Sequence, residues 1–179
     1  MGDCEFDSVI VPYHCHEMNT KTADEIITQL QLIAHPEGGY YAETYRSEEL
    51  TINKNGDSRS TCTAIYFLLK DNDLSNLHRI QSDELWFFHQ GEPLEIVYIQ
   101  HGRISSIVLG NNLLNGEVPQ AMIPANVWFG SKLKNNKGYA LVSCTVAPGF
   151  DFQDFELAER SELLKDYPHL HELITAFTR

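Results

Sequence analysis

The sequence predicts a mainly β domain, in which short strands close into a barrel or sandwich of the jelly-roll kind between an N-terminal helix and C-terminal helices. Three observations support this fold class. Segments rich in β-branched and aromatic residues, such as STCTAIYFLL at 60–69, recur at near-regular spacing from residue 40 to residue 147. Clusters of Gly, Asn and Pro that form turns separate them. Helical periodicity is confined to the two ends of the chain, and short strands with such turns are typical of closed β folds.

The strands follow one another with little room for helices between them. They are predicted at 40–46, 60–69, 76–81, 84–89, 94–100, 103–109, 120–124, 127–133 and 139–147. Between the first two strands, Asn55 and Gly56 form the dipeptide that most strongly indicates a β-hairpin. We find no internal repeat and no linker, so the sequence predicts a single domain.

Each terminal helix carries its own signature. Thr22 and Glu25 stand at the spacing of a capping box, and Pro36 marks the end of the N-terminal helix. The apolar face expected for this helix consists of Ile26, Leu30 and Ile33. A C-terminal helix is expected to bury a stripe of Leu170, Leu173, Ile174 and Phe177.

Composition limits the classes of partner. A chain of 179 residues with 42% hydrophobic residues is large enough for one domain with a real core. The formal net charge of −12 argues against nucleic acid or an anionic membrane as the main partner. The apolar runs are too short to span a bilayer.

The cysteines and the first residues bear on localisation. The four cysteines are widely and irregularly spaced, and the N-terminus lacks a basic region followed by an apolar one. We therefore expect a cytoplasmic protein with reduced thiols. Residues 1–20 are interpreted as an N-terminal tail, with disorder as one alternative, and residues 21–179 as the single folded domain.

One stretch within the predicted strands resembles the first signature of the cupin superfamily, which reads His-x-His, three or four residues, Glu, six residues, Gly. In HRIQSDELWFFHQG, His78 takes the place of the first histidine, Glu84 that of the glutamate and Gly91 that of the glycine. Ile80 stands where the second histidine is usual. The spacing is therefore kept, but one metal donor is replaced.

The second signature of the superfamily, Pro-x-Gly, two residues, His, has its nearest match in IPANVWF. Pro124 is in place, Asn126 replaces the glycine, and Phe129 replaces the final histidine. Further likeness is carried by HPEGGYYAETYR (35–46), HRIQSDELW (78–86), VWF (127–129) and SCTVAPGFDFQDFELA (143–158).

On these segments, which span about residues 24–160 in order, the chain is identified as a member of the Cupin_5 group, formerly catalogued as a domain of unknown function. The group is distantly similar to dTDP-4-dehydrorhamnose 3,5-epimerase. The resemblance implies a double-stranded β-helix, the cupin jelly-roll barrel, that pairs as a homodimer. It brings no settled reaction, because a fold does not supply a function.

The donor set argues against a catalytic metal. In cupins two histidines on one strand face and a carboxylate from the next strand form a three-ligand centre. Here only His78 and Glu84 remain, because Ile80 and Phe129 cannot donate to a cation. No cofactor is therefore expected, and a divalent metal held by His78 and Glu84 is the alternative.

Without a metal, His78 and Glu84 are candidate catalytic residues. Facing each other inside an apolar barrel, they would form a general acid/base pair, or else a structural hydrogen bond that closes the barrel mouth. The candidate ligand-binding residues are Arg46, Tyr66, Trp86, Phe88 and Trp128. The aromatic members suit a small ring-shaped ligand, and Arg46 would hold a phosphate or carboxylate if it faced inward.

Three functions follow, and the sequence leaves open whether the protein is an enzyme. The first is a small-molecule-binding cupin whose ligand, with a sugar derivative as one candidate, is held by His78, Glu84 and aromatic side chains. The second is a metal-independent epimerase or isomerase acting on a sugar or nucleotide sugar, with His78 as general base. The third is a metal-dependent oxygenase or isomerase, which Ile80 and Phe129 disfavour.

Overall fold

A computed structural model describes residues 21–179, and the predicted tail at 1–20 lies outside them. The described part contains thirteen β-strands and three α-helices. The strands are β1 (Ile33–Ala34), β2 (Tyr40–Arg46), β3 (Leu50–Ile52), β4 (Ser58–Ser60), β5 (Thr63–Lys70), β6 (Leu74–Ile80), β7 (Asp83–Gly91), β8 (Leu94–Gln100), β9 (Arg103–Leu109), β10 (Gln120–Ile123), β11 (Trp128–Leu133), β12 (Tyr139–Ala147) and β13 (Phe155–Leu157). The helices are α1 (Ala23–Gln29), α2 (Arg160–Asp166) and α3 (His171–Ala176).

Two antiparallel sheets form the body of the domain. The larger sheet has the order β1-β2-β5-β12-β7-β10, and the smaller one β13-β6-β11-β8-β9. Successive strands often lie in different sheets, as β5 and β6 do, which is the connectivity of a jelly roll. The predicted mainly β jelly-roll fold is therefore confirmed, and each of the nine predicted segments holds a strand within a few residues of its predicted bounds. β3 and β4 flank the predicted hairpin, whereas β1 and β13 were not predicted.

The space between the two sheets holds the main apolar core. Its buried members are Phe67, Leu69, Trp86, Leu94, Ile96, Leu109, Ile123, Phe129, Leu133, Ala140, Val142 and Cys144. They alternate along each strand with side chains on the other face, as the two-residue period of a strand requires. Burial of this set supplies the main favourable free energy of folding.

The N-terminal helix covers the outer face of the larger sheet. Thr22 and Glu25 form both hydrogen bonds of the capping box, as predicted. Ile26 is buried against Leu68 and Leu141. The predicted apolar face was wrong at its far end, because the helix ends at Gln29 and Ile33 lies in β1, 60% exposed.

The C-terminal helices cover the outer face of the smaller sheet. The predicted stripe is confirmed, since Leu170, Ile174 and Phe177 are buried there and Leu173 packs against them. Their partners from the sheet include Leu77, Val97, Ile99 and Trp128. The smaller sheet is consequently buried on both faces around β6, the strand that carries His78.

Two further features concern the chain outside the barrel. The hairpin predicted at Asn55 and Gly56 joins β3 to β4 in a separate two-stranded ribbon, and Gly56 adopts a positive φ of 90°. Among the described helices, none has the length and apolar character needed to cross a membrane.

Candidate functional site

A small cavity of about 40 Å³ lies between the two sheets. Its walls come from β5, β6, β7 and β12, from the turn that follows β1, and from the segment between β12 and β13. The lining residues are His35, Glu37, Ile65, Phe67, His78, Ile80, Glu84, Trp86, Cys144, Val146, Phe150 and Phe155. Eight of these residues are buried, whereas His35, Ile65, Phe150 and Phe155 are only partly buried. The side of the cavity formed by Phe150 and Phe155 is called its mouth.

The turn after β1 brings Glu37 into the cavity. Gly38 and Gly39 have φ values of 115° and 73°, which let the chain reverse tightly before β2. The backbone carbonyl of Glu37 accepts hydrogen bonds from the backbone N–H of Asn76 at 2.9 Å and from its side-chain amide at 2.6 Å. The turn is thereby fixed to β6, so that the Glu37 carboxyl points at the next inward-facing residue of that strand.

That residue is His78. Its Nε2 atom lies 3.1 Å from Oε2 of Glu37, and its Nδ1 atom lies 2.8 Å from the backbone carbonyl oxygen of Asn76. A carbonyl oxygen only accepts, so Nδ1 carries a hydrogen and donates it. The hydroxyl of Ser75 donates to Oε1 of Glu37 at 2.8 Å. Between Nε2 of His78 and Oε2 of Glu37 there is consequently room for one shared proton.

A second histidine flanks the same carboxyl. Nδ1 of His35 lies 3.4 Å from Oε2 of Glu37 and accepts the backbone N–H of Glu37 at 3.4 Å. The His35 ring contacts Tyr41 and Phe67 edge-on. Glu37 is therefore the centre of the polar part of the cavity, with an imidazole on each side.

Burial dominates the electrostatics of these groups. Loss of solvation lowers the pKa of His78 to about 3 and that of His35 to about 4. Burial and the nearby Glu84 raise the pKa of the Glu37 carboxyl well above its usual range. Loss of solvation therefore favours the uncharged forms of Glu37 and His78 over an ion pair between them.

Glu84 forms a second polar group across the cavity. Burial raises its pKa to about 7, an effect that the neighbouring Cys144 thiol and Trp86 indole oppose. The pKa of the Cys144 thiol is raised well above its usual range by burial, and the negative charges of Glu84 and Glu37 add to the effect. Cys144 is thus an unreactive thiol in the cavity wall.

The predicted direct pairing of His78 with Glu84 is wrong. Both side chains line the cavity, but both ring nitrogens of His78 are already engaged, one by Glu37 and the other by Asn76. Glu84 instead lies beside Cys144 and Trp86. The carboxyl group that faces His78 comes from the turn after β1, not from β7, the strand that follows β6 in the sequence.

The cavity residues do not fit the three-ligand metal centre of the superfamily. Among residues 21–179, no group of three His, Cys, Asp or Glu side chains is placed to hold a metal ion. The Phe129 ring packs on His78 with a centroid distance of 4.1 Å, where a histidine donor is usual. Ile80 adds only an aliphatic wall. The close contacts between ionisable groups in the cavity join Glu37 to His78 at 3.1 Å and to His35 at 3.4 Å.

Two of the predicted ligand-binding residues lie outside the cavity. Arg46 is exposed, pairs with Glu43 at 2.6 Å, and donates to the backbone carbonyl of Phe150 at 3.1 Å. Tyr66 lies on the outer face of β5, under α1, with its ring 6.0 Å from that of His89. His89 itself is exposed. Neither Arg46 nor Tyr66 reaches His78.

The remaining aromatic candidates separate in the same way. Trp86 is 1% exposed and lines the cavity. Phe88 packs on the main core farther along β7 and does not line the cavity. Trp128 faces the C-terminal helices, and the Arg79 guanidinium lies 4.4 Å from its ring. Of the predicted aromatic residues, only Trp86 can touch a ligand beside His78.

Sequence reasoning missed four residues of the site. Glu37 and His35 belong to the HPEGG segment, which carries family likeness but was not predicted to contribute to the site. Phe150 and Phe155 belong to SCTVAPGFDFQDFELA, another segment that carried only family likeness, yet the Phe155 ring lies 5.5 Å from that of His78, at an interplanar angle of 29°. The signal available in the sequence was the pair of glycines, Gly38 and Gly39, that directly follows Glu37.

A jelly-roll barrel with a cavity on its inner wall defines the class of the protein, and the comparisons give the family. The chain belongs to Cupin_5, the cupin superfamily family also described as DUF985, which it matches over residues 24–158. It is similar to the uncharacterized protein YML079W of Saccharomyces cerevisiae, with 32% identity over 155 residues that cover 79% of this chain and 77% of that protein.

Solved structures show the same fold. A hypothetical protein from Leishmania major is 36% identical with a TM-score of 0.85, covering 88% of this chain and 99% of its own. Protein SO0799 from Shewanella oneidensis is 38% identical with a TM-score of 0.82, covering 89% and 99%. Oxalate decarboxylase from Bacillus subtilis, at 14% identity and a TM-score of 0.52 over 80% of this chain and 36% of its own, shares the fold alone.

Proposed function

We propose that the protein binds a small organic molecule inside the barrel, against His78, Glu37, Glu84 and the aromatic walls. The observation that carries this proposal is a cavity that combines apolar rings with buried groups able to exchange protons. Ligand sites are typically concave, mostly apolar, and supplied with a few convergent polar groups. Perturbed pKa values of Glu37, Glu84 and His78 at one place favour a functional site over mere core packing.

The size of the cavity limits the ligand. An enclosed volume of about 40 Å³ holds a few water molecules. A dry cavity of about 150 Å³ is needed for benzene. A ring as large as a sugar therefore enters only if Phe150 and Phe155 move away from the mouth. A compact ligand, or one whose smallest end enters the cavity, requires less movement.

Binding is tested with a fragment collection of neutral and charged rings, observed by ligand NMR. Ile65→Phe fills the cavity at a partly buried position of its wall, and we expect it to abolish binding of the fragments that bind the wild type. Trp128→Phe, outside the cavity, is the matched control and should leave binding unchanged. Equal binding to the wild type and to Ile65→Phe would contradict the proposal.

A second function, a metal-independent isomerase or epimerase acting on a carbonyl compound, is favoured by the shared proton between Glu37 and His78. With both its nitrogens engaged, His78 has no lone pair free to meet a substrate. The contacting base would instead be Glu37. Transfer of its proton to Nε2 of His78 leaves a carboxylate, which accepts a proton from the carbon beside the carbonyl. The electron pair of the broken C–H bond forms the enolate, and return of the proton completes the exchange.

Solvent deuterium exchange distinguishes this reaction from binding alone. Neutral ketones and ketoses are incubated with the protein in D₂O, and deuterium at the carbon beside the carbonyl is measured by NMR. We expect exchange above the uncatalysed rate with the wild type, and its loss in Glu37→Gln and in His78→Gln. Exchange that disappears with EDTA and returns with iron, manganese, nickel or zinc would instead support the metal-dependent alternative.

We also infer from the family that two copies of the chain pair as a homodimer. This inference is tested by sedimentation equilibrium, in which a single species of monomer mass would contradict it.

A further inference from the structure

Trp86 presents an unusual combination of burial and unsatisfied polarity. Its side chain is 1% exposed, yet its indole N–H has no hydrogen-bond partner within the described residues. Buried indole N–H groups usually find an acceptor, because leaving one unpaired in an apolar interior costs about 1–3 kcal/mol. The indole lines the cavity beside Glu84 and lowers the pKa of that carboxyl as a nearby donor does, but the two groups do not meet the distance and angle limits of a hydrogen bond.

The rings around Trp86 fix the direction from which an acceptor can arrive. Phe67 and Phe129 contact the indole edge-on, at centroid distances of 5.7 and 6.2 Å. Two apolar walls are therefore closed. The cavity adjoins another part of the indole, and because the N–H is itself buried, an acceptor reaches it when the cavity lining moves apart. A ligand atom that accepts the indole N–H there would place its apolar remainder toward Phe150 and Phe155 at the mouth.

The charged groups of the cavity lining also limit the charge that a ligand can carry. It contains no Lys or Arg within the part of the chain that the structure describes, and Arg46 is engaged with Glu43 outside. The acidic side chains that face the cavity are Glu37 and Glu84, with the thiol of Cys144 between them and the imidazoles of His35 and His78 alongside. A phosphate or a carboxylate would enter without a counter-charge, at a large cost in desolvation.

We propose that the indole N–H of Trp86 anchors the ligand, and that the ligand is an uncharged, compact organic molecule whose carbonyl oxygen accepts this hydrogen bond. The inference rests on the proposed binding function and narrows it. It excludes nucleotide sugars, whose diphosphate would require cations, and selects neutral ketones and aldehydes.

The test compares three probes that differ in one group: cyclopentanone, methylenecyclopentane and cyclopentanecarboxylate. The chain has two tryptophans, so its ¹⁵N-correlated spectrum shows two indole N–H signals, which Trp128→Phe assigns. We expect cyclopentanone to move the Trp86 indole proton downfield in a saturable manner and to leave that of Trp128 in place. Methylenecyclopentane, which has the same shape but no acceptor, should bind without the downfield shift.

Affinities supply the second readout. A neutral hydrogen bond changes a dissociation constant by about fivefold, so Trp86→Phe should weaken cyclopentanone by about that factor and leave methylenecyclopentane unchanged. Cyclopentanecarboxylate should bind at least about tenfold more weakly than cyclopentanone. The indole shift is measured on the wild type, so the test does not depend on folding of Trp86→Phe.

Two results separate the inference from the function on which it rests. Equal affinities for cyclopentanone and methylenecyclopentane with no shift of the Trp86 indole proton, or preferred binding of the carboxylate, would overturn the anchor and its selectivity while leaving binding intact. Failure of all three probes to bind, together with failure of the fragment collection, would overturn the binding function itself.

Discussion

Oε2 of Glu37 lies 3.1 Å from Nε2 of His78, so the group that faces this ring nitrogen is a carboxyl from a tight turn. The opposite nitrogen of the ring is held by the backbone carbonyl of Asn76 at 2.8 Å. His78 therefore keeps its place in the family signature but changes its partner. The inner wall of this barrel places side chains to share protons where the superfamily signature places donors for a cation.

Substitution of Glu84 by Gln should change how stability depends on pH. The folded-state pKa of Glu84 is about 7, above its ordinary value of 4.5, so the wild-type carboxyl favours folding fully below about pH 4.5 and loses that contribution as pH rises through 7. The free energy of unfolding of Glu84→Gln, taken relative to that of the wild type, should thus increase by about 2–3 kcal/mol between pH 4.5 and pH 8. Urea denaturation at several pH values measures it.

The control for this prediction is Glu172→Gln, at an exposed position of α3. Its stability should follow the wild type at every pH. Parallel curves for Glu84→Gln and the wild type would show that Glu84 titrates normally and is accessible to water.

Substitution of His78 by Gln should have the opposite sign. The folded-state pKa of His78 is about 3, below its ordinary value of 6.5, so the neutral imidazole favours folding fully above about pH 6.5 and loses that contribution as pH falls toward 3. When the pH falls from 7 to 4, the free energy of unfolding of the wild type should decrease by on the order of 3 kcal/mol more than that of His78→Gln. Denaturation at these two pH values gives the comparison.

His171→Gln, at an exposed position, is the matched control, and it should show no such convergence on acidification. If the difference between the wild type and His78→Gln were the same at pH 4 and at pH 7, the imidazole would be protonated normally in the folded protein, and the neutral pair with Glu37 would be disproved.

Gly38 should be intolerant of any side chain. A Cβ atom there would lie 2.0 Å from the backbone carbonyl oxygen of Leu74, and φ is 115°. Gly38→Ala must therefore displace the turn that carries Glu37, and we expect a loss of more than about 3 kcal/mol in the free energy of unfolding.

Gly56→Ala is a close control, because Gly56 has a φ of 90° but no neighbouring atom within 4 Å of the position that an added Cβ would take. Gly56→Ala introduces the backbone strain without the steric clash, and it should lower the free energy of unfolding by about 1 kcal/mol. Similar losses in the two variants, measured by chemical denaturation, would show that the turn adapts without moving Glu37.

The sequence predicted the strands well because their alternation is a local property, imposed on each segment by a two-sided sheet. It did not predict the partner of His78, since that contact depends on how Gly38 and Gly39 fold a turn back onto β6. The wrong prediction for Trp128 could have been avoided. Trp128 is adjacent to Phe129, which aligns with an inward-facing histidine of the superfamily signature, so the alternation of side chains along a strand places Trp128 on the outer face. The wrong prediction for Arg46 could not have been avoided, because a bulge after Glu43 changes the register of β2.

Asp154 should control the mouth of the cavity. It forms a bidentate pair with Arg59, at 2.7 and 2.8 Å, in which both side chains are buried. This pair ties the segment between Phe150 and Phe155 to the β3–β4 ribbon. Asp154→Asn leaves Arg59 without its charge partner and should therefore speed amide hydrogen exchange throughout residues 149–157. Glu156→Gln removes an exposed pair with Arg79 on the adjacent strand and should affect exchange little. Faster exchange of equal size in both variants would mean that Asp154 does not fasten the mouth. Acceleration confined to Asp154→Asn, with faster binding of cyclopentanone, would identify this segment as the one that moves to admit a ring.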